Sequence, residues 1–239
     1  MTHKEIMEDK QKYCYEYPRP SVTTDCAIFG FDGIDLHILL IERGIEPFKG
    51  QWALPGGFVQ MDETTEACAR RELAEETGVK DLFLEQLYTF SDVKRDPRGR
   101  VITVSYFALI KSTDFKLIGG DDASDALWFP INQVPSLAFD HDRILRVAHD
   151  RLKGKIKYEP IGFELLEEVF TIPQLQRLYE AILGIQVDRR NFNRKIMSLD
   201  ILEPIENKVE GVGHKGARQF RFDREKYQAL KSRGFNFEI

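Results

Sequence analysis

Residues 56–79 read GGFVQMDETTEACARRELAEETGV. From Thr64 to Thr77 there is no Pro or Gly, and Ala, Glu, Leu and Arg dominate, so this stretch predicts a helix that Gly78 stops. At about 100° per residue, Glu72, Glu75 and Glu76 share one arc of roughly 100°. Ala67, Leu73 and Ala74 fall on the far side, where they are expected to pack against a sheet. Carboxylates this close repel one another, and a divalent cation with oxygen ligands relieves that conflict. Taken alone, the three glutamates would equally suit a solvated acidic face.

The wider spacing carries more information. Gly57 is followed after five residues by Glu63, then after seven by Arg71-Glu72-Leu73, then by Glu75-Glu76 and Gly78-Val79. Seven fixed residues at roughly 6% usage each give a chance match on the order of one in a million. The segment resembles the complete Nudix box of the Nudix hydrolase superfamily. That resemblance implies a loop–helix–loop whose glutamates hold Mg²⁺ or Mn²⁺ at a diphosphate. Carried over by position, Glu72 and Glu76 are metal ligands, Glu75 is a further ligand or base, and Glu63 and Arg71 orient the loop and helix through an ion pair. Gly57 would let the backbone approach metal or phosphate closely. The implied reaction, hydrolysis of a nucleoside diphosphate linked to another group, suits a metal site that polarises phosphoryl oxygens and activates water. No Gly-x-Ser-x-Gly elbow or partnered cysteine competes, and the five scattered histidines read as structural or exposed.

Strand-like stretches flank the box: TTDCAIFGF and LHILLIER before it, LEQLYTF, VITVSYFALI and ALWFP after it. DHDRILRVAHDRL (140–152) has helical apolar spacing. Together these predict an α+β sandwich over residues 17–153, behind a polar segment at 1–16. Within it, YTFSDVKRDPRGRVITVSYFAL resembles the region that follows the box in Nudix proteins recognising ADP-ribose. Arg95, Arg98 and Arg100 become candidate phosphate or ribose contacts on that basis. Asp121 and Asp122 are candidates to assist as base.

GKIKYEP reads as a linker, and FELLEEVF beyond it as a helix. TIPQLQRLYEAILG follows with Thr171 as N-cap, Pro173 just inside and Gly184 at the C-cap. After a four-residue turn, GIQV, Asp188 caps a second helix whose apolar residues are Phe192, Ile196 and Leu199. With Phe192 at 0°, Arg190 and Arg194 lie at about 160° and 200°, facing away from the core. Arg189, Asn193 and Lys195 flank them. ILEPIENKVE and ARQFRFD read as two strands around GVGHKG, with His214, Lys215 and Arg218 on the resulting wing, and REKYQALKSRGF closes the module as a short helix. Helix–turn–helix plus hairpin is a winged helix, which suits either double-stranded DNA or a protein partner.

The charge distribution agrees with two modules. The chain of 239 residues has a net charge of −5, yet residues 185–239 contain 12 Lys/Arg against 8 Asp/Glu. The remainder carries 22 against 31. An acidic front and a basic tail point to different partners. Cys14, Cys26 and Cys68 lack metal-ligand spacing and read as reduced thiols. With no apolar leader and no apolar run of about 20 residues, the expectation is a cytoplasmic protein without a membrane partner.

From YPRPSVTTD to GFNFE the chain resembles the Nudix-related transcriptional regulators of bacteria. That resemblance implies a homodimer whose winged helices bind a palindromic operator and whose Nudix domain senses ADP-ribose or a sugar derivative. Many such regulators have lost box residues; here every catalytic position is present. Three readings stay open: a hydrolase that is also a regulator, a regulator that only senses its ligand, and a hydrolase whose tail only dimerises it.

Overall fold

The structure, a computed structural model, describes residues 15–80, 82–111, 123–205 and 218–234. A six-stranded sheet is built around a parallel pair, β1 (Ser21–Phe31) and β5 (Val101–Lys111), in register from Ser21↔Val101 to Phe31↔Lys111. Buried on both faces, these strands read as near-continuous apolar runs. β4 (Glu85–Phe90) closes one side of the sheet. On the other side β2 (Leu36–Arg43) meets β1 and then β3 (Trp52–Ala53) along one edge, and β6 (Ala123–Pro130) along the other.

Alternation along β1 divides the two faces. Cys26 and Ile28 point to the layer formed by α1 (Thr65–Thr77), against Ala69 and Leu73. Ala27, Phe29 and Phe31 point to α2 (His141–Tyr158), against Ile144, Ala148 and Leu152. This is the expected α/β/α sandwich. α1 is capped at Thr64, whose hydroxyl accepts from Ala67 N–H at 3.1 Å, and closes at Gly78. Its buried face differs from the one expected. Ala67 is exposed and Ala74 half-buried, while Cys68, Ala69, Leu73, Glu76 and Thr77 face inward. Glu76, on the glutamate arc, is itself buried, which turns the inward face of the helix toward it.

Two further expectations change. The linker GKIKYEP is helical as far as Tyr158, because the stripe Ile144–Ala148–Leu152 continues to the fully buried Ile156. The boundary expected at 153 therefore lies inside α2. FELLEEVF is no helix: a 3₁₀ turn (Ile161–Leu165) leads into β7 (Val169–Thr171), whose Phe170 pairs with Phe220. That partner lies fifty residues on, beyond the reach of local periodicity.

The second module follows the sequence reading more closely. α3 (Ile172–Leu183) begins with a full capping box, in which Thr171 N–H donates to Gln174 Oε1 at 2.7 Å, and ends at Gly184. Replacing Thr171 with alanine is expected to cost about 1 kcal/mol, read as a lower urea midpoint at unchanged slope. Asp188 caps α4 (Arg189–Ser198), accepting from Asn191 N–H at 2.8 Å. β8 (Leu202–Ile205) and β9 (Gln219–Phe222) join β7 in a three-stranded sheet, followed by α5 (Arg224–Lys231). One apolar cluster runs from Phe29 and Leu152 through Phe163 to Leu178, Ile182, Phe192 and Tyr227. The two modules thus share a core. Residues 1–14, Asp121, Asp122, His214 and Lys215 lie outside the described residues.

Candidate functional site

A cleft of about 360 Å³ opens where β1, the loop at 54–60, α1, the loop after β4 and the start of α2 converge. Its size falls within the range of small-molecule sites. Chain crossings close to the backbone account for its two glycines. Gly56 sits at φ +155, and a Cβ there would overlap the Thr24 carbonyl; a Cβ on Gly57 would overlap the Glu72 carboxylate. Both positions exclude a side chain so that carboxylates and main chain can crowd together.

Arg71 organises the carboxylate side. Its guanidinium donates to Glu63 at 2.7 Å, to Glu72 at 2.8 Å and to Glu75 at 3.1 Å, tying the loop to α1. Hydrogen bonds from Arg71, then from Gln60 N–H, hold the Glu63 carboxyl down at about 2. Burial pushes Glu72 above the usual carboxylate range, against the pull of Arg71. Glu76 is only 8% exposed and accepts from Gly56 N–H at 2.8 Å. Burial, followed by the charges of Glu72 and Asp25, raises it to about 8 despite that bond. Glu75 does not line the cleft: its side chain is 60% exposed and leans on Arg71. The three-glutamate constellation expected from the helical wheel is therefore two glutamates inward and one outward. Among the described residues no three Asp, Glu, His or Cys side chains converge as a ready-made metal cage. Glu72 and Glu76 nevertheless fit a hard divalent cation, since both are oxygen donors, both face the cleft, and burial disfavours the charge on each.

Opposite lies a buried ion network that sequence reading found only in part. Arg95, its side chain 4% exposed, donates to Asp140 at 2.7 Å and to Asp25 at 3.3 Å. His141 Nδ1 accepts from Leu54 N–H at 2.9 Å, which leaves the ring proton on Nε2, 3.5 Å from Asp25. Burial lowers the pKa of this histidine, favouring the neutral ring. The reading of all five histidines as scattered thus missed His141, which lines the cleft. Arg98 also lines the cleft, bound through two nitrogens to Asp96. Burial opposes the Asp96 charge, but these bonds outweigh it and hold that carboxyl below its ordinary range. Arg100 stands apart, donating to the carbonyls of Ser91 and Asp92 at 2.8 and 3.2 Å. It fastens the loop rather than facing the cleft. Thr23, Asp25, Phe58, Asp96, Phe139 and His141 were not anticipated. For Asp25 a signal existed, a carboxylate at the head of the apolar run Cys26–Phe31.

On the second module, Phe192, Ile196 and Leu199 are buried, whereas Arg189, Arg190, Asn193, Arg194 and Lys195 are exposed on α4. Arg194 donates to Asn191 at 2.8 Å. Arg218 stands over the Phe220 ring and shares a shallow groove with Arg189, Asn193 and Met197. The helix therefore presents a basic, hydrogen-bonding face flanked by the start of the wing.

Comparison with known proteins matches residues 19–148 to the NUDIX domain and residues 162–222 to the NrtR DNA-binding winged helix domain. The chain is 39% identical over 228 residues to the ADPR responsive transcriptional repressor NtrR of Acinetobacter baylyi, spanning 93% of this chain and 87% of that protein. It is 42% identical over 138 residues to the ADP-ribose pyrophosphatase of Methanocaldococcus jannaschii, covering 58% of this chain and 78% of the other. The crystal structure of Shewanella oneidensis NrtR complexed with a 27mer DNA superposes with a TM-score of 0.72 at 33% identity, over 90% of this chain and 97% of that one.

Proposed function

The chain belongs to the Nudix-domain family with an NrtR-type winged helix, and we propose that it is a DNA-binding repressor whose Nudix cleft senses ADP-ribose. One observation carries this reading: a single helix joins cleft and winged helix. At the start of α2, Asp140 is bonded to Arg95 and His141 to Leu54 in the cleft. Farther along the same helix, Ile156 O accepts from Tyr179 Oη at 3.3 Å, and His149 Nε2 lies 3.2 Å from Ile182 O, both on α3. A ligand that favours one arrangement of the Arg95–Asp140–Asp25 network thereby acts on the element that seats the DNA-binding module, over roughly 27 Å of continuous helix. The relative named above as ADPR responsive supports ADP-ribose as that ligand. The basic face of α4 supports binding to double-stranded DNA, and a homodimer would read a palindromic operator. The test has two arms: calorimetric titration with ADP-ribose, and a mobility shift with the DNA upstream of the protein's own gene. Absence of either binding event contradicts the proposal.

A second reading, hydrolysis of the sensed ligand, is favoured by the inward pair Glu72 and Glu76 beside Gly57. Bound there, Mg²⁺ or Mn²⁺ would neutralise phosphate charge and lower the pKa of water. Arg71 would keep Glu72 oriented, and the buried floor would shield the diphosphate from bulk water. Release of AMP from ADP-ribose with Mg²⁺ is the expected result, and an inert wild type contradicts this second reading. Among the described residues no helix is long and apolar enough to cross a membrane.

A further inference from the structure

Two side chains cross the joint between α2 and α3 in opposite directions. The last carbonyls of a helix have no helical donor and need one from elsewhere. Ile156 lies in the last turn of α2, and the residue four positions on is Pro160, which has no N–H to give. Its carbonyl accepts instead from Tyr179 Oη of α3, at 3.3 Å. Ile182 lies in the last turn of α3, and its carbonyl oxygen is 3.2 Å from His149 Nε2 of α2. A carbonyl only accepts, so this nitrogen carries a ring proton. Each helix therefore ends against a donor supplied by the other module.

Tyr179 also reaches the DNA-reading helix. It is 1% exposed, and its ring stands edge-on to Phe192 of α4 at 5.2 Å, with 63° between the planes. Phe192 is buried, and Arg190 and Arg194 lie two residues to either side of it. One buried side chain thus touches the helix that leaves the cleft and the helix that carries the basic face. Apolar packing alone would let α2 shift on α3 in small steps. A buried hydrogen bond does not, because a small displacement strips the hydroxyl and the carbonyl together and no water replaces either partner. The joint is made or broken, which is the two-state behaviour that coupling between distant sites requires.

We infer that Tyr179 and His149 are the positioning residues through which the cleft sets the affinity of α4 for DNA. Neither lines the cleft, so both act through the placement of α3 and α4. The inference rests on the proposed repressor that senses ADP-ribose, and it assigns that regulation to two bonds.

Full-length wild type, Tyr179→Phe, His149→Leu and His149→Gln are titrated with DNA from upstream of the protein's own gene, with and without saturating ADP-ribose, in EDTA. Tyr179→Phe keeps the ring against Phe192 and deletes only the hydroxyl. His149→Leu deletes the other donor at a half-buried position, whereas the amide of His149→Gln can still donate. The readout is the ratio of DNA dissociation constants with and without ADP-ribose, which a merely structural role would not move. Wild type is expected to give about fivefold or more, Tyr179→Phe and His149→Leu less than about twofold, and His149→Gln a ratio close to wild type. ADP-ribose affinity of the DNA-free protein is expected to stay within about threefold of wild type in every variant. If melting curves show that Tyr179→Phe does not fold, the two His149 variants decide the matter. A wild-type ratio in either folded donor deletion, or a His149→Gln as uncoupled as His149→Leu, overturns the inference while leaving the sensing role intact. A wild type that binds no ADP-ribose or no DNA, or binds both without mutual effect, overturns the proposed function and this inference with it.

Discussion

Replacing Arg190 and Arg194 together with alanine is expected to weaken binding to operator DNA by roughly 2–6 kcal/mol, at least thirtyfold, without unfolding the protein. Both side chains are exposed, on the side of α4 opposite the buried Phe192 and Ile196, so their removal opens no cavity. α4 keeps its Asp188 cap, and alanine favours helix more than arginine does. What is lost is charge and hydrogen bonding toward DNA. Fluorescence anisotropy at several salt concentrations separates the two kinds of contact. Each phosphate contact removed lowers the salt slope by about 0.9, whereas a lost base contact leaves the slope unchanged and relaxes sequence preference. A double variant that binds as tightly as wild type would assign the basic face to plain solvation.

The second large effect concerns Glu76. Glu76→Gln keeps the shape and can still accept from Gly56 N–H, but removes one of the two inward carboxylates. Under the proposed second reading, hydrolysis, Mg²⁺-dependent AMP release from ADP-ribose is expected to fall a hundredfold or more, equivalent to about 3 kcal/mol of barrier. Stability should move the other way. Glu76 is raised in the folded protein to about 8, above the ordinary 4.5 of a free glutamate. A group with a raised folded pKa supports the fold fully below its unfolded value and loses that contribution as pH climbs through the folded one. Metal-free wild type should therefore weaken more steeply between pH 4.5 and 8 than Glu76→Gln, which retains only Glu72 as a raised carboxylate of the pair. In EDTA the variant is expected to melt higher than wild type at pH 8, with the gap closing toward pH 5. Equal melting temperatures at both pH values would show that Glu76 is not held in an adverse environment. The opposed signs identify a residue kept for chemistry at the cost of stability.

Residue spacing made much of this legible. The Gly57–Glu63–Arg71–Glu72–Glu76 pattern, the stop at Gly78, the caps at Thr171 and Asp188, and the Phe192–Ile196 stripe are local, and each corresponds to a structural feature. What sequence reading missed depends on distant partners. Phe170 becomes a strand residue only because Phe220 arrives beside it. α2 runs past Gly154 because the apolar stripe continues to Ile156, whose carbonyl also accepts from Tyr179 of the next module. Glu75 and Glu76 are adjacent in sequence, yet only the sheet decides that one faces solvent and the other the interior. The Asp25–Arg95–Asp140–His141 network joins three segments that no short motif spans. Arg95 and Arg100, alike in sequence, part because one reaches that network and the other only the Ser91 carbonyl.

In the proposed function, cleft and winged helix are thermodynamically coupled through α2. Coupling of this kind is reciprocal, so it can be measured from either side. ADP-ribose affinity is determined by titration with and without saturating operator DNA, and operator affinity with and without saturating ADP-ribose, in EDTA to prevent turnover. Both affinities are expected to change by the same factor, about fivefold or more, and in the weakening direction expected of a ligand that relieves repression. Two ligands that each bind, with affinities unaffected by the other, would contradict it.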